Sequence, residues 1–191
     1  DLLSDAWKGG MRALWFGVED LTGNSVKKGQ DRGRTEKLFG VLRAQGISPM
    51  PMMIHFQGQP LRGKDPAKLE GILDQVDELK RIGANSLQVT YITPSIGSDN
   101  YRQLYDAGSV LSDVGDIQIA GRHFDGNHVI AVDDRRENIL ERQRNLERCY
   151  KAFYNTRNLG HAVLDTIMAA WKGDEREKNL ANFALITQIG G

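Results

Sequence analysis

Apolar residues gather into three short runs, Met11 to Val18 (MRALWFGV), Pro49 to Phe56 (PMPMMIHF) and Ser86 to Ile92 (SLQVTYI), which begin about 37 residues apart. That spacing suits a strand, a loop, a helix and a return turn. Each run follows a glycine (Gly10, Gly46, Gly83), where a helix can end in the left-handed conformation that glycine adopts at little cost. Between the runs the period becomes helical. Thr35 is placed to cap a segment with Leu38, Val41 and Leu42 on one face. Asp65 is placed to cap the next, with Pro66 at its first helical position. Leu69, Ile72, Leu73, Val76 and Leu79 form its apolar stripe, and Glu70, Asp74, Asp77, Glu78 and Lys80 its wet face.

Strand–helix–strand–helix–strand order argues for parallel strands joined by right-handed crossovers. The first two runs are nearly apolar throughout, as strands buried on both faces should be. The third alternates, with Gln88 and Thr90 against Leu87 and Val89. In a barrel those polar groups would point inward toward a ligand; an ordinary sheet with one polar face fits the pattern equally. Beyond Ile92, TPSIGSDNY is a loop, Tyr101 to Leu104 begins a short helix, and Asp106 to Val132 is rich in Gly and Asp, which predicts short strands and turns. Arg135 to Tyr154 and Asn158 to Trp171 are expected helices, and residues 172–191 carry no assignment. The expected division is a half-barrel over 1–100 and an extension of turns and helices over 101–171.

Charge and cysteine content narrow the classes. The 191 residues carry 25 basic and 25 acidic side chains, so nothing electrostatic favours nucleic acid or an anionic membrane surface. No apolar run approaches the roughly 18 residues of a membrane span. A single cysteine, Cys149, excludes an internal disulfide framework, and also any cysteine-ligated zinc or iron–sulfur site built from this chain alone. It fits a reducing cytoplasm. The chain opens at Asp1 with no charged–apolar–small signal pattern, as expected of a piece of a longer protein.

In parallel α/β architectures, ligands bind beyond the carboxyl ends of the strands. The first such place, FGVED, holds Glu19 and Asp20. Two acids there suit a ribose diol, a divalent metal or proton transfer. Alternatively Asp20 turns the loop and Glu19 pairs with Lys27 or Lys28. The second place holds His55, which is either a hydrogen-bonded structural residue or one that faces a ligand. The third holds Thr90, Thr93 and Pro94, whose hydroxyls and exposed backbone could bind an adenosine. His123, Asp125 and His128 in HFDGNH are possible metal ligands, although no fourth ligand is apparent and Asp-Gly-Asn is a ready turn sequence. Neither a phosphate-cradling P-loop nor a dinucleotide fingerprint is present. Cys149 has no histidine near it in sequence and reads as structural.

Taken in order, GGMRALWFGVED, VKKG, GISPMPMMIH and SLQVTYITPSIGS resemble the second half of a radical S-adenosylmethionine core. The closest likeness is to its cobalamin-binding branch. Gly17, Val18 and Glu19 match the G-[IV]-E end of that family's fourth strand; Thr93, Pro94 and Gly97 match part of the sixth-strand loop. FGVED, VKKGQ, PMPMM, LQVT and FDGNHVIA resemble the lipid-acting members, including the hopanoid methylases. The likeness spans about Gly9 to Phe153. Asp20 stands where many relatives have serine, Ile96 and Ser98 replace a proline and a threonine, and FQGQP replaces the commoner G-x-P-G-E-T.

The resemblance implies an α/β fold: the C-terminal half of a partial (β/α)6 TIM-like barrel with parallel strands, then a mainly helical extension. It implies S-adenosylmethionine, a [4Fe–4S] cluster whose CxxxCxxC ligands lie in the missing N-terminal half, and a cobalamin domain also outside this chain. The parent would generate a 5′-deoxyadenosyl radical and transfer a methyl group to an unactivated carbon of a lipid-like substrate, with a peripheral membrane contact possible and no nucleic-acid partner. Glu19, His55, Gln88, Thr90, Thr93 and Pro94 are then the cofactor-binding candidates, and Asp125, Asn127 and His128 the substrate-side ones; no catalytic or metal-ligating residue is expected in this half. The alternatives are a stand-alone small-molecule-binding TIM-like domain without iron–sulfur chemistry, or an inactive fragment with unpaired strand edges.

Overall fold

The computed structural model describes residues 1–24, 29–91, 102–103, 106–107, 113–114, 117–118 and 136–191. Thr93, Pro94, Asp125, Asn127 and His128 lie outside the described residues, as do Lys27, Lys28 and His123. A short α1 (Leu2–Lys8) leads into β1 (Ala13–Glu19), α2 (Arg32–Ala44), β2 (Ser48–His55), a single 3-10 turn (Pro66–Lys68), α3 (Ile72–Arg81) and β3 (Gln88–Tyr91). Then come β4 (Asp113–Val114) and β5 (Ile117–Gln118), an antiparallel pair, and three helices, α4 (Arg136–Phe153), α5 (Thr156–Lys172) and α6 (Glu175–Gly190).

The expected α/β order is present. β1, β2 and β3 form a parallel sheet in chain order, and Gly10, Gly46 and Gly83 all hold positive φ at the turns before them. Alternation decides the two faces. Val18, Met53, Val89 and Tyr91 are buried beneath Phe39 of α2, Ile72, Val76 and Leu79 of α3, and Leu146, Cys149 and Phe153 of α4. Each fully buried side chain of this size contributes roughly 1.5–3 kcal/mol. The opposite face is open: Trp15 is 59% exposed, and Met50, Met52, Gln88 and Thr90 are half-buried.

Three local expectations fail for identifiable reasons. Asp31, not Thr35, caps α2 by accepting from Arg34 N–H at 2.9 Å. Thr35 lies one turn inside and is buried, its hydroxyl bonded back to the Asp31 carbonyl. Asp65 caps only the 3-10 turn, which ends at Leu69 in the left-handed region. Helix α3 starts after Gly71 without a side-chain cap, because the carbonyls of Pro60 and Leu61 accept from Ile72 and Leu73 N–H. Asp74, assigned to the wet face, is buried; its carboxylate accepts from Arg62 at 2.8 Å and from the Gly63 amide at 2.7 Å.

Residues 172–191, without a sequence assignment, form α6. A capping box starts it: Asp174 accepts from the Glu177 amide, and Glu177 accepts from the Asp174 amide. The helix crosses beneath the sheet. Asn179 donates to the carbonyls of Arg12 and Gly46, just ahead of β1 and β2, and Thr187 to that of Asn85, ahead of β3. It closes the N-terminal ends of the strands. No helix among the described residues is long and apolar enough to cross a membrane.

The outer edge of β3 is not left open, contrary to the expectation of unpaired edges. The Tyr154 hydroxyl accepts from Leu87 N–H at 2.7 Å and donates to Leu87 C=O at 3.1 Å; Tyr150 makes the same pair with Val89, both at 3.1 Å. Residues two apart along an extended chain present their backbone groups to the same edge, and Tyr150 in the last turn of α4 and Tyr154 just beyond its end meet them with stacked rings. Two phenols take the place of a strand. Converting both to phenylalanine is expected to cost about 2–4 kcal/mol by stranding backbone groups of β3. Urea unfolding of the double variant measures this, and an unchanged midpoint would contradict the edge assignment.

Candidate functional site

At the end of β1 the backbone leaves the regular ladder. Register slips between Gly17 and Glu19, so that Glu19 rather than Val18 lies opposite Met53. Glu19 has φ 64, and the Asp20 amide bonds the Val18 carbonyl at 2.7 Å, a γ-turn centred on Glu19. A non-glycine residue held this way stores about 1–3 kcal/mol of strain, which is found mostly where a side chain must be aimed. What the strain achieves here is visible: the Glu19 carboxylate folds back over Gly17 on the open face. A methyl group on Gly17 would collide with Glu19 Oε1. The G-V-E order is therefore a steric unit, glycine making room for the acid.

Asp20, the other acid, does different work. It is 3% exposed, and its carboxylate accepts from the Thr22 amide at 3.0 Å, the Thr22 hydroxyl at 2.6 Å and Gln75 Nε2 at 2.9 Å. This is an Asx turn anchored to α3. Gln75 also accepts from Leu21 N–H and donates to the Leu69 carbonyl. The turn-forming alternative thus describes Asp20; its other half, the pairing of Glu19 with Lys27 or Lys28, lies outside the described residues.

Gln88 and Thr90 stand on that same face of β3, as the alternation predicts. Gln88 Oε1 is buried with no hydrogen-bond partner among the described residues, and Thr90 donates to the Met53 carbonyl at 3.4 Å. A cavity of about 330 Å³ lies lower on this face, lined by Trp15, Met50, Gln88 and Thr187 and floored by Gly190 and Gly191. Acceptor oxygens thus flank an apolar strip that reaches toward the carboxyl ends of the strands. The arrangement suits a ligand with hydroxyl or ammonium donors and an apolar body.

His55 points the other way. It is 1% exposed on the helix-covered face, its Nδ1 3.2 Å from Gln59 Oε1 and its Nε2 3.2 Å from Asn145 Nδ2 of α4. The expectation that it faces a cofactor or substrate is corrected: Met53 parity turns it under α4, where it ties β2 to that helix. Asn145 can only donate there, so the neutral ring accepts at Nε2 and donates from Nδ1. Burial pulls its pKa down to about 4, with the Arg142 cation acting in the same direction and the Gln59 bond opposing. Cys149 is fully buried among Val76-layer core residues, and burial pushes its thiol up to about 12, so it is inert and structural as expected. Among the described residues no group of three His, Cys, Asp or Glu side chains is arranged to hold a metal ion.

Two polar residues of consequence escaped the sequence reading, Gln75 and Asn145. Each had a signal. Gln75 falls on the apolar stripe of α3 between Ile72 and Leu79, and Asn145 on that of α4 beside Leu146 and Cys149. A polar residue on a buried stripe must find hydrogen-bond partners there. Together, the fold and site define an α/β protein with a parallel sheet closed at its N-terminal end and an acid aimed over its open face. No protein-family model matches the chain, and no curated protein matches it either.

Two outcomes follow from this geometry. His55 is neutral when folded and titrates near 6.5 when unfolded, so the unfolded state binds the extra proton as pH falls. Its contribution is fully present above about pH 6.5 and is lost progressively toward pH 4. Chemical unfolding from pH 7 to 4 is expected to show this slope in the wild type and a flatter one in His55→Gln; equal slopes would contradict the assignment. Gly17→Ala is expected to fold while displacing the Glu19 carboxylate from the open face. A crystal structure of the variant with Glu19 unmoved would overturn the steric pairing.

Proposed function

We propose that this chain is the C-terminal part of a cobalamin-dependent radical S-adenosylmethionine enzyme that methylates an unactivated carbon of a lipid-like substrate. β1, β2 and β3 are then the last three strands of its partial (β/α)6 barrel, and the open face is the inner wall. The observation that carries the reading is the Glu19 carboxylate, held by a strained turn over Gly17 at the carboxyl end of β1.

The residues present fit S-adenosylmethionine. Its ribose hydroxyls and ammonium group are donors, and this face carries the Glu19 carboxylate, the Gln88 Oε1 that has no hydrogen-bond partner among the described residues, and the Thr90 hydroxyl. Bound here, it would supply a 5′-deoxyadenosyl group for hydrogen abstraction from the substrate. Glu19 orients the donor end, and the Trp15–Met50 surface shields the apolar side from water. In this reading Thr93 and Pro94 shape the mouth of the barrel, Asp125, Asn127 and His128 serve the substrate side, and His55 holds β2 in place without touching the ligand. The residues do not fit an iron–sulfur cluster. One cysteine, buried and protonated, cannot hold it, so in this reading the cluster, like the cobalamin, is held by a part of the parent outside this chain. A lone reduced thiol suits a cytoplasmic setting.

A second reading is a stand-alone small-molecule-binding domain that needs no cluster; the sealed edge of β3 ends the sheet on that side in both readings. A CxxxCxxC motif upstream in the same reading frame supports the first reading, and its absence supports the second. Calorimetric titration of the chain with S-adenosylmethionine tests the ligand assignment. Saturable binding is expected, weakened about tenfold or more in Glu19→Gln by loss of a charge-assisted hydrogen bond. No binding, or equal binding by the variant, would refute it.

A further inference from the structure

We propose that Gln75 of α3 is a positioning residue that holds Glu19 in its ligand-facing conformation and so sets the affinity of the open face. The inference rests on the reading of Glu19 given above. Two non-glycine residues among those described have positive φ, Glu19 at 64° and Leu69 at 55°. They lie 50 positions apart in the chain, yet the same side chain serves both turns. Gln75 Nε2 donates to Asp20 Oδ1, directly after Glu19, and to the Leu69 carbonyl; Gln75 Oε1 accepts from Leu21 N–H, each at 2.9 Å.

These bonds form where water cannot replace them, since Gln75 is 1% exposed. The planar amide has its carbonyl committed to Leu21 and its two N–H groups to Asp20 and Leu69, so it cannot turn without breaking all three. Asp20 is fixed in turn by the Thr22 amide and hydroxyl. Relaxing Glu19 to negative φ would drag Asp20 and Leu21 away from Gln75. Strained residues persist only when their surroundings over-determine them, and here one amide does so for both. A glutamine that merely filled the core would leave Glu19 indifferent to its loss. A glutamine that positions Glu19 links ligand affinity to α3 and to the turn at Leu69, neither of which lies on the open face.

The test compares the wild type with Gln75→Met, which keeps the volume and removes the bonds, and Val76→Ala, which removes core packing on the same helix and leaves all three Gln75 hydrogen bonds in place. Two quantities are measured: the strong intraresidue HN–Hα NOE that positive φ gives Glu19, in the ligand-free chain, and the dissociation constant for S-adenosylmethionine. The proposal expects Val76→Ala to melt lower with both quantities unchanged. It expects Gln75→Met to lose the NOE and to bind about tenfold more weakly or worse. If Gln75→Met does not fold, Gln75→Glu takes its place, since it keeps the acceptor for Leu21 and lacks the two donors; the same losses are expected. Retention of the NOE and affinity in the Gln75 variant overturns the proposal. If the wild type binds no S-adenosylmethionine, the functional reading fails, and the NOE comparison still decides whether Gln75 holds Glu19.

Discussion

Period-two alternation across three parallel strands, with one face committed to helices, is the constraint from which the remaining features follow. Once Val18, Met53 and Val89 are pressed beneath α2, α3 and α4, the residues between them have no choice of side. Trp15, Met50, Gln88 and Thr90 are delivered to the open face by the same packing that stabilises the core, and His55 is carried under α4 by its register with Met53. Glu19 falls on the same side as Trp15 and Gly17, and its conformation there is set locally. A register slip, a γ-turn and a glycine without a side chain together bring its carboxylate over the open face. The strain is tolerable because the core beneath it is rigid.

The two ends of the sheet are treated differently. Beneath the strands, α6 satisfies a carbonyl ahead of each one and closes that end with the Asn179 side-chain amide and the Thr187 hydroxyl. Above them, β1 runs into the strained Glu19 turn and its Asp20–Gln75 support. The lateral edges differ as well. Tyr150 of α4 and Tyr154 just after it occupy the edge of β3, while β1 has one strand neighbour among the described residues. A sheet finished on one side and one end directs chemistry to the remaining end, which is where parallel sheets bind ligands.

Much of this was legible from local pattern. The glycines before each strand, the alternation of β3 and the stripe of α3 all report backbone geometry that the residues themselves impose. Features set by long-range partners were not. Asp74 reads as a surface acid until Arg62 and Gly63 reach it from another segment. Asp65 is a sound cap, but the carbonyls of Pro60 and Leu61 move the start of the helix to Ile72. The polar first turns of α6 hid a helix whose docking surface is assembled from three separate strand approaches. At the site, Glu19 was marked by its place at a strand end, whereas His55 was marked by residue type alone, and residue type does not say which face a strand presents. Gln75 and Asn145 were visible as polar interruptions of apolar stripes, although their partners lie 55 and 90 residues away.

The central claim is that the open face, and not the helix-covered layer, receives the ligand. Backbone and side-chain amide chemical-shift mapping during titration with S-adenosylmethionine tests it most directly. The account predicts perturbations concentrated at Gly17, Glu19, Gln88 and Thr90, with the Asn145 amide next to His55 unmoved. Perturbations centred on Asn145 and Gln59 would contradict it.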